Sequence, residues 1–368
     1  MSSSNEMIEI DGSQMEGGGQ ILRMSMGFSA LLRRPIRIVN IRGKRNNPGL
    51  RAQHLQGLKL VSEISNGKLV GAAMNSSEIE FHPGQERNEG KFRFTADTKT
   101  AGATTLLAQA SVPCLLLHDN PTVLDLKGGT NADMAPSIDF YEQVFLPNLS
   151  RFFPAGCPVE SDVKKRGYFP KGGGHVTLSV NPSIQLAPID LTERGELTEI
   201  RIESAVTENL PKKLAHEMNA AAEKVVKRRF KGVKVTTETK ALSASEAVPA
   251  GSSMLVTALT DQGCVIGAQG IGSRKVTPGE TGKTAAEELA ETLDLGVCVD
   301  QYVQDQMIMF MALAKGKSRL LTGPLTLHTE TAIHISQLLS GATFEVKKGD
   351  KNNSVMIECE GIGYKRSK

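Results

Sequence analysis

The sequence contains no tryptophan, and aromatic residues make up only 4% of its 368 residues. Few side chains are therefore available to stack on a planar ligand, so each aromatic residue in a polar setting is a candidate contact. The five cysteines are widely scattered and include no Cys-x-x-Cys pair. This pattern argues against a disulfide framework and against a cysteine zinc site, and it fits a reducing compartment.

Long apolar stretches are missing as well. No run of about 18 apolar residues occurs, and residues 1–7 carry neither the basic nor the apolar part of a secretion signal. We therefore expect an intracellular, soluble protein without a membrane segment. A chain of 368 residues is expected to divide into about two or three domains.

Acidic residues are absent from one long segment, although the net charge of the chain is only +3. Between Arg33 and Glu63 there is no Asp or Glu. The basic residues of this stretch are Arg33, Arg34, Arg37, Arg42, Lys44, Arg45, Arg51 and Lys59. Such a run is usually a solvated face, but without acids it also creates a positive field suited to phosphates. The segment by itself leaves both interpretations open.

A glycine triplet occurs twice, each time after a charged residue. The first is residues 16–20 (Glu-Gly-Gly-Gly-Gln), the second is 171–175, and a shorter version lies at 127–130. Repeated turns of this kind indicate a unit built more than once. After the first, a helix-like segment carries Arg23, so a carboxylate, free N–H groups and a guanidinium form a candidate phosphate site. Chain reversal is the commoner role of such turns.

Strands and helices alternate along most of the chain. Alternation and β-branched residues predict strands over residues 36–41, 78–81, 123–127 and 175–180. Helical patterns lie between them, one over residues 98–112 that Pro113 should stop, and one that begins at Pro136. This alternation with glycine turns indicates α/β units.

The middle of the chain changes character after residue 182. No glycine triplet occurs there, and a strand-like stretch over 197–206 is followed by a helix over 211–230 and further strand-like segments. We therefore predict a small α/β domain over residues 185–283, inserted into a core formed by residues 1–184 and 284–368.

A near match to a phosphate-binding P-loop occurs at residues 279–284, but Thr277 occupies the position of its first glycine. We therefore predict a loop that leads into a helix over residues 284–293. A glycine cluster at 267–272 likewise has the wrong spacing for a dinucleotide fingerprint. ATP, if it is used, binds by another route.

The helix predicted over residues 299–314 places Tyr302, Asp305 and Gln306 on a face apart from its apolar stripe. The tyrosine ring could stack on a nucleobase, and the Asp and Gln one helical turn later could form hydrogen bonds with the edge of that base. A solvated helix face is the commoner role of such residues. His328 follows a Gly-Pro turn and stands among threonines whose hydroxyls could fix its tautomer. A lone histidine is more often structural, so this pattern leaves both roles open.

Together these segments resemble the RNA 3′-terminal phosphate cyclases, in their eukaryotic form, along essentially the whole chain. The matching stretches are residues 11–23, 47–51, 53–55, 95–102, 127–132, 166–168, 170–174, 300–306 and 327–329. The resemblance implies an α/β (α+β) fold of repeated β-α units with glycine-rich turns, related to the enolpyruvyl transferases, plus the smaller inserted domain.

The resemblance implies an enzyme of the ligase type that converts an RNA 3′-phosphate into a 2′,3′-cyclic phosphodiester while ATP yields AMP and pyrophosphate. His328 would attack the α-phosphorus of ATP and form a histidine–AMP phosphoramidate. AMP would then pass to the RNA 3′-phosphate, and the neighbouring 2′-OH would expel it.

The resemblance also implies roles for other residues. ATP would be held by Gln109, Pro136, Tyr302, Asp305 and Gln306. Tyr302 and Pro136 would enclose the adenine, and Glu16 would hold a divalent metal ion, Mg²⁺ or Mn²⁺. The terminal phosphate of the RNA would be clamped by arginines, Arg23 and Arg45 with Arg42 or Arg51.

Two alternative functions fit the sequence less well. A cyclase-like RNA-binding factor in ribosome assembly would lack the nucleophile, whereas His328 is present together with Tyr302. An enolpyruvyl transferase would leave the histidine motif without an explanation. The expected partner is RNA with a 3′-terminal phosphate, not DNA or a membrane. Kinship implies a nuclear protein, with cytoplasmic residence also open, and the oligomeric state is undetermined.

Overall fold

A computed structural model describes residues 6–84, 90–349 and 353–366 of the chain. In this part of the chain the strands form four sheets, and most helices share one large hydrophobic core. No described helix is long and apolar enough to cross a membrane. The predicted α/β fold class, with repeated β-α units, is confirmed.

The first unit contains a four-stranded sheet and two helices. Its elements are β1 (Ile8–Asp11), α1 (Gly19–Leu32), β2 (Ile36–Val39), α2 (Ala52–Ile64), β3 (Lys68–Val70) and β4 (Ile79–His82). The strand order is β1-β2-β4-β3, with a parallel β1-β2 pair and antiparallel neighbours. Ile36 and Ile38 are buried and alternate with partly exposed residues, because successive strand side chains point to opposite faces.

The second unit follows the same plan. Its elements are β5 (Arg93–Asp97), α3 (Thr104–Leu116), β6 (Thr122–Gly128), α4 (Ile138–Phe140), a π-helical turn (Tyr141–Phe145), α5 (Leu146–Ser150), β7 (Val159–Gly167) and β8 (Gly174–Val180). The predicted end of the first helix at Pro113 is wrong, because α3 passes through this residue. Proline removes one helix hydrogen bond, but most side chains of α3 are buried and their packing holds the helix together.

The inserted module has its own sheet and core. The elements of this part of the chain are β9 (Asp190–Leu191), β10 (Leu197–Thr207), α6 (Lys213–Arg229), β11 (Lys234–Leu242), β12 (Ala247–Val248), β13 (Ser252–Thr260), β14 (Val265–Ile271) and α7 (Pro278–Asp294). Helices α6 and α7 pack on the sheet β11-β10-β13-β14 around a second hydrophobic cluster. The short strand β12 instead pairs with β7 of the second unit.

The packing differs from the predicted boundaries at 185 and 283. Leu186, Ile189 and Leu191 belong to the main core, and α7 contributes apolar residues from Ala285 to Leu293 to the second cluster. Residues 279–284, predicted as a loop, form the first turns of α7, and the side chain of Thr277 caps that helix. The independence of the module stays a prediction.

The last unit completes the core. Its elements are α8 (Gln301–Leu313), β15 (Lys315–Thr322), α9 (Leu327–Ser340), β16 (Thr343–Lys348) and β17 (Val355–Ile362). The sheet order is β16-β17-β15-β9, so the stretch before the insertion supplies its edge strand. Helix α9 packs against α1 and α8, and α1 packs against α2 and α3. This packing brings the beginnings of α1 and α9 together.

Candidate active site

Helices α1, α2, α3 and α9 begin at one cleft with a volume of about 890 Å³. Gly18 and Ala103 are the N-cap residues of α1 and α3, and in the described structure neither contributes a capping side-chain hydrogen bond. The first N–H groups of α1 are therefore available to a ligand, and the helix dipole favours a negative one. At the start of α3, the N–H of Thr104 instead donates to the carbonyl of Gly129 at 2.9 Å. The cleft suits a phosphorylated ligand.

The first glycine triplet permits a close approach of side chains in this cleft. A Cβ atom on Gly18 would lie 2.2 Å from the Glu16 carboxylate, and one on Gly19 would lie 2.6 Å from Nε2 of His54. Gly17 has a φ of +58°, a conformation that favours glycine. The backbone N–H of Glu16 donates to Oγ1 of Thr331 at 3.3 Å, which ties this turn to α9.

Glu16 is the candidate metal ligand, and its side chain is only 8% exposed. One carboxylate oxygen, Oε1, pairs with Arg45, which also donates to the Glu16 carbonyl at 2.9 Å. The other oxygen, Oε2, is buried and has no hydrogen-bond partner among the described residues. A buried carboxylate oxygen without a donor is suited to a cation.

The surrounding residues limit the kind of metal site that could form. The described residues contain no group of three or more His, Cys, Asp or Glu side chains that could hold a metal ion. Magnesium often takes one or two protein carboxylates and completes its shell with water and substrate phosphates. Glu16 therefore fits a divalent ion that arrives with a nucleotide.

All four predicted arginines line the cleft: Arg23, Arg42, Arg45 and Arg51. Two of them also support the loop that precedes α2. Nη1 of Arg42 donates to the carbonyls of Asn47 and Gly49 at 2.6 and 3.1 Å, and Nη1 of Arg51 donates to Oδ1 of Asn75 at 2.8 Å. Burial and the neighbouring positive charges lower the pKa of Arg42. A bound anion would relieve this crowding of cations.

His54 lines the same cleft and was not among the predicted site residues. Its Nδ1 accepts the backbone N–H of Arg51 at 3.2 Å. Burial lowers the pKa of His54 to about 3, helped by the charges of Arg23 and Arg42, so the ring is neutral. The acid-free sequence around it was the signal that could have marked it as part of a phosphate site.

His328 is the second residue of α9 and lines the cleft beside Glu16. The prediction that threonine hydroxyls hold its ring is wrong: Thr326 instead caps the helix by accepting the N–H of Thr329 at 3.1 Å. Nδ1 of His328 lies 2.9 Å from Oε1 of Gln20, a residue that sequence reasoning missed. Burial lowers the pKa of His328, which favours the neutral imidazole.

Among the predicted nucleotide contacts on α8, Asp305 is linked to His328 through Gln20. Nε2 of Gln20 donates to Oδ2 of Asp305 at 2.6 Å. Asp305 also lines a small cavity of about 40 Å³ with Gln109 and Gln306, whose side chains share a hydrogen bond of 2.9 Å. Burial raises the pKa of Asp305 to about 7, although the positive charge of Arg23 opposes the shift.

Of the two residues predicted to enclose a base, Tyr302 lies on α8 and Pro136 lies just before α4. The Tyr302 ring packs edge-to-face on Phe140, with ring centroids 5.9 Å apart. Pro136 lies four residues before Phe140, and its carbonyl accepts the hydroxyl of Thr105 at 2.7 Å. Their pairing around an adenine stays a prediction.

Comparison with known proteins adds independent findings. A family model described as RNA 3′-terminal phosphate cyclase matches residues 14–346. A relative from Dictyostelium discoideum, described as a probable RNA 3′-terminal phosphate cyclase, is 41% identical over 97% of this chain and 83% of its own length. An RNA 3′-terminal phosphate cyclase from Drosophila melanogaster is 35% identical over 98% of both chains. One from Staphylothermus marinus is 38% identical over 97% of this chain and 99% of its own.

Proposed function

The chain belongs to the RNA 3′-terminal phosphate cyclase family of enzymes, and we propose that it works through an AMP group carried covalently on His328. The observation that carries this proposal is the place of His328 at the start of α9, in one cleft with Glu16 and the basic residues. Burial favours the neutral imidazole, which is the nucleophilic form.

The proposed reaction divides one difficult substitution into three steps. An oxygen of a phosphate monoester is a poor leaving group, so the RNA end must first be activated. A ring nitrogen of His328 attacks the α-phosphorus of ATP, and pyrophosphate leaves. An oxygen of the RNA 3′-phosphate then attacks the same phosphorus and breaks the P–N bond. Finally the 2′-OH attacks the RNA phosphorus, loses its proton and expels AMP.

The charged groups of the cleft support binding of both substrates. We assign the RNA phosphate to Arg23, Arg42, Arg45 and Arg51, because all four line the cleft. The free N–H groups at the start of α1 would bind further phosphate oxygens. Oε2 of Glu16 would hold a divalent cation, which neutralises phosphate charge when bound. The residues assigned to the nucleotide are Gln109, Pro136, Tyr302, Asp305 and Gln306.

The test is self-labelling with ATP that carries ³²P at the α-phosphate, in the presence of magnesium. The label should be stable in alkali and labile in acid, as expected for a phosphoramidate, and should map to the peptide that contains His328. His328→Asn should abolish it. His334→Asn is a matched control, because His334 lies on the exposed side of the same helix.

A chase with unlabelled RNA distinguishes a cyclase from an RNA-binding assembly factor. RNA with a 3′-phosphate should remove the label and gain a cyclic end, whereas RNA with a 3′-OH should not. An unlabelled wild-type protein, or a label that survives in His328→Asn, would contradict the mechanism. We also assign the protein to the nucleus by kinship, which imaging of the tagged chain would test.

A further inference from the structure

We infer that Gln20 is a positioning residue that holds His328 in the tautomer whose reactive lone pair is on Nε2, and that Asp305 orients the Gln20 amide. This inference rests on the proposed role of His328 as the carrier of AMP. Gln20 lies in the first turn of α1 and is only 4% exposed. Its side chain joins two residues from two other helices, α8 and α9.

The direction of the two hydrogen bonds determines the tautomer. Nε2 of Gln20 donates to Oδ2 of Asp305 at 2.6 Å, so the NH₂ group of the amide faces Asp305. The amide oxygen then faces Nδ1 of His328 at 2.9 Å. Because a carbonyl oxygen cannot donate, Nδ1 must carry the proton. The neutral ring therefore keeps its lone pair on Nε2.

The opposite orientation of the amide is unfavourable here. It would place the Gln20 oxygen against the Asp305 carboxylate, and the NH₂ group against Nδ1. The ring proton would then be on Nε2, and this nitrogen could not attack phosphorus. This orientation would also lose the hydrogen bond that Nε2 of Gln20 donates to Oδ2 of Asp305.

The same contact serves the covalent intermediate. When Nε2 bonds to the α-phosphorus and pyrophosphate leaves, the ring becomes cationic while the proton on Nδ1 stays in place. The bond from Nδ1 to the Gln20 oxygen is then charge-assisted and stronger. When the RNA phosphate displaces the ring, the P–N electron pair returns to Nε2 and neutral imidazole leaves. No proton has to move at Nδ1 in either step.

The first experiment compares self-adenylation of wild type with Gln20→Met, a variant of similar length that cannot accept a hydrogen bond. A bond to a group that becomes charged corresponds to a rate factor of about tenfold to a hundredfold. The single-turnover rate at saturating ATP should fall by that factor, with KM for ATP nearly unchanged. In Asp305→Asn, which still offers an amide oxygen to Gln20, the single-turnover rate should fall by a smaller factor. Gln337→Met, exposed on α9, is the control.

A merely structural glutamine would not affect which ring nitrogen reacts. ³¹P NMR of the adduct should show AMP only on Nε2 in wild type and a mixture with Nδ1 in Gln20→Met. ¹⁵N NMR of histidine-labelled wild type should place the His328 proton on Nδ1, a result that does not depend on whether the variant folds. A proton on Nε2 would overturn the inference.

The outcomes separate this inference from the function on which it rests. If wild type is not labelled at all, the proposed function fails. If wild type is labelled on His328 but Gln20→Met reacts at the same rate and on the same nitrogen, only the role of Gln20 fails. A change confined to KM would indicate a role in ATP binding and would also refute it.

Discussion

Arg45→Met should destabilise the protein unless a divalent cation and a nucleotide are bound. Arg45 is 38% exposed, but its partner Glu16 is only 8% exposed. The substitution leaves Glu16 with one oxygen whose partner is gone and another that has none among the described residues. A buried carboxylate without compensation is costly because water cannot reach it.

The expected loss follows from these exposures. Breaking a fully buried ion pair costs about 3–5 kcal/mol. Because Arg45 is 38% exposed, water already screens this pair, and we expect a loss of about 1–2 kcal/mol in the free energy of unfolding. For a chain of this size, that corresponds to a fall in Tm of roughly 1–3 °C.

The assay is thermal unfolding with and without magnesium and a non-hydrolysable ATP analogue. Arg37→Met is the control, because Arg37 is 40% exposed like Arg45 but its partners Glu9 and Glu78 are each 60% exposed. Its Tm should equal that of wild type. Magnesium with the analogue should raise the Tm of Arg45→Met more than that of wild type, because the cation compensates Glu16.

A second substitution tests the cause. Adding Glu16→Gln to Arg45→Met removes the uncompensated charge, so it should restore most of the lost stability and abolish the additional effect of magnesium. Equal Tm values for Arg45→Met and wild type, with equal shifts on adding magnesium and the analogue, would refute both the burial argument and the metal assignment of Glu16.

Three further predictions concern the nucleotide site, the inserted module and pH. Tyr302→Ala should weaken ATP binding by about 1–3 kcal/mol in a titration, and Tyr302→Phe should not; lower Tm with unchanged affinity would indicate a purely structural ring. Replacing residues 197–293 by a short linker should retain nucleotide binding measured by calorimetry, because Arg194 donates to the carbonyl of Leu293 at 2.6 Å and the two ends therefore lie close together. Starting the deletion at 185 should lower the stability further, since it removes Leu186 and Ile189 from the main core in addition to Leu255, Cys264 and Val265. Burial raises the pKa of Asp300 to about 6; the folded state thus favours its protonated form, and this contribution to stability is present at low pH and lost as pH rises through about 6. The Tm of wild type relative to Asp300→Asn should accordingly decrease between about pH 4 and pH 6, and a constant difference would contradict the raised pKa.

Several local elements were predictable because their cause is local. The alternation of Ile36 and Ile38 identified β2, and the glycine triplet followed by an apolar pattern identified α1. Helix α9 was missed, because its threonines and isoleucines have only moderate helix propensity. Its packing against α1 and α8 decides the conformation.

The sequence by itself determined the fold class, the family, the basic character of the cleft and the identity of His328 as a candidate, because these depend on residue types and on the order of motifs. The tertiary structure alone decided which partners these residues have. Gln20 is separated from Asp305 by 285 positions and from His328 by 308. Hydrogen-bond direction, burial and shared charge depend on distances of a few ångströms, which spacing along the chain does not encode. The packing of α1, α8 and α9 therefore brings Gln20, Asp305 and His328 into one hydrogen-bonded group.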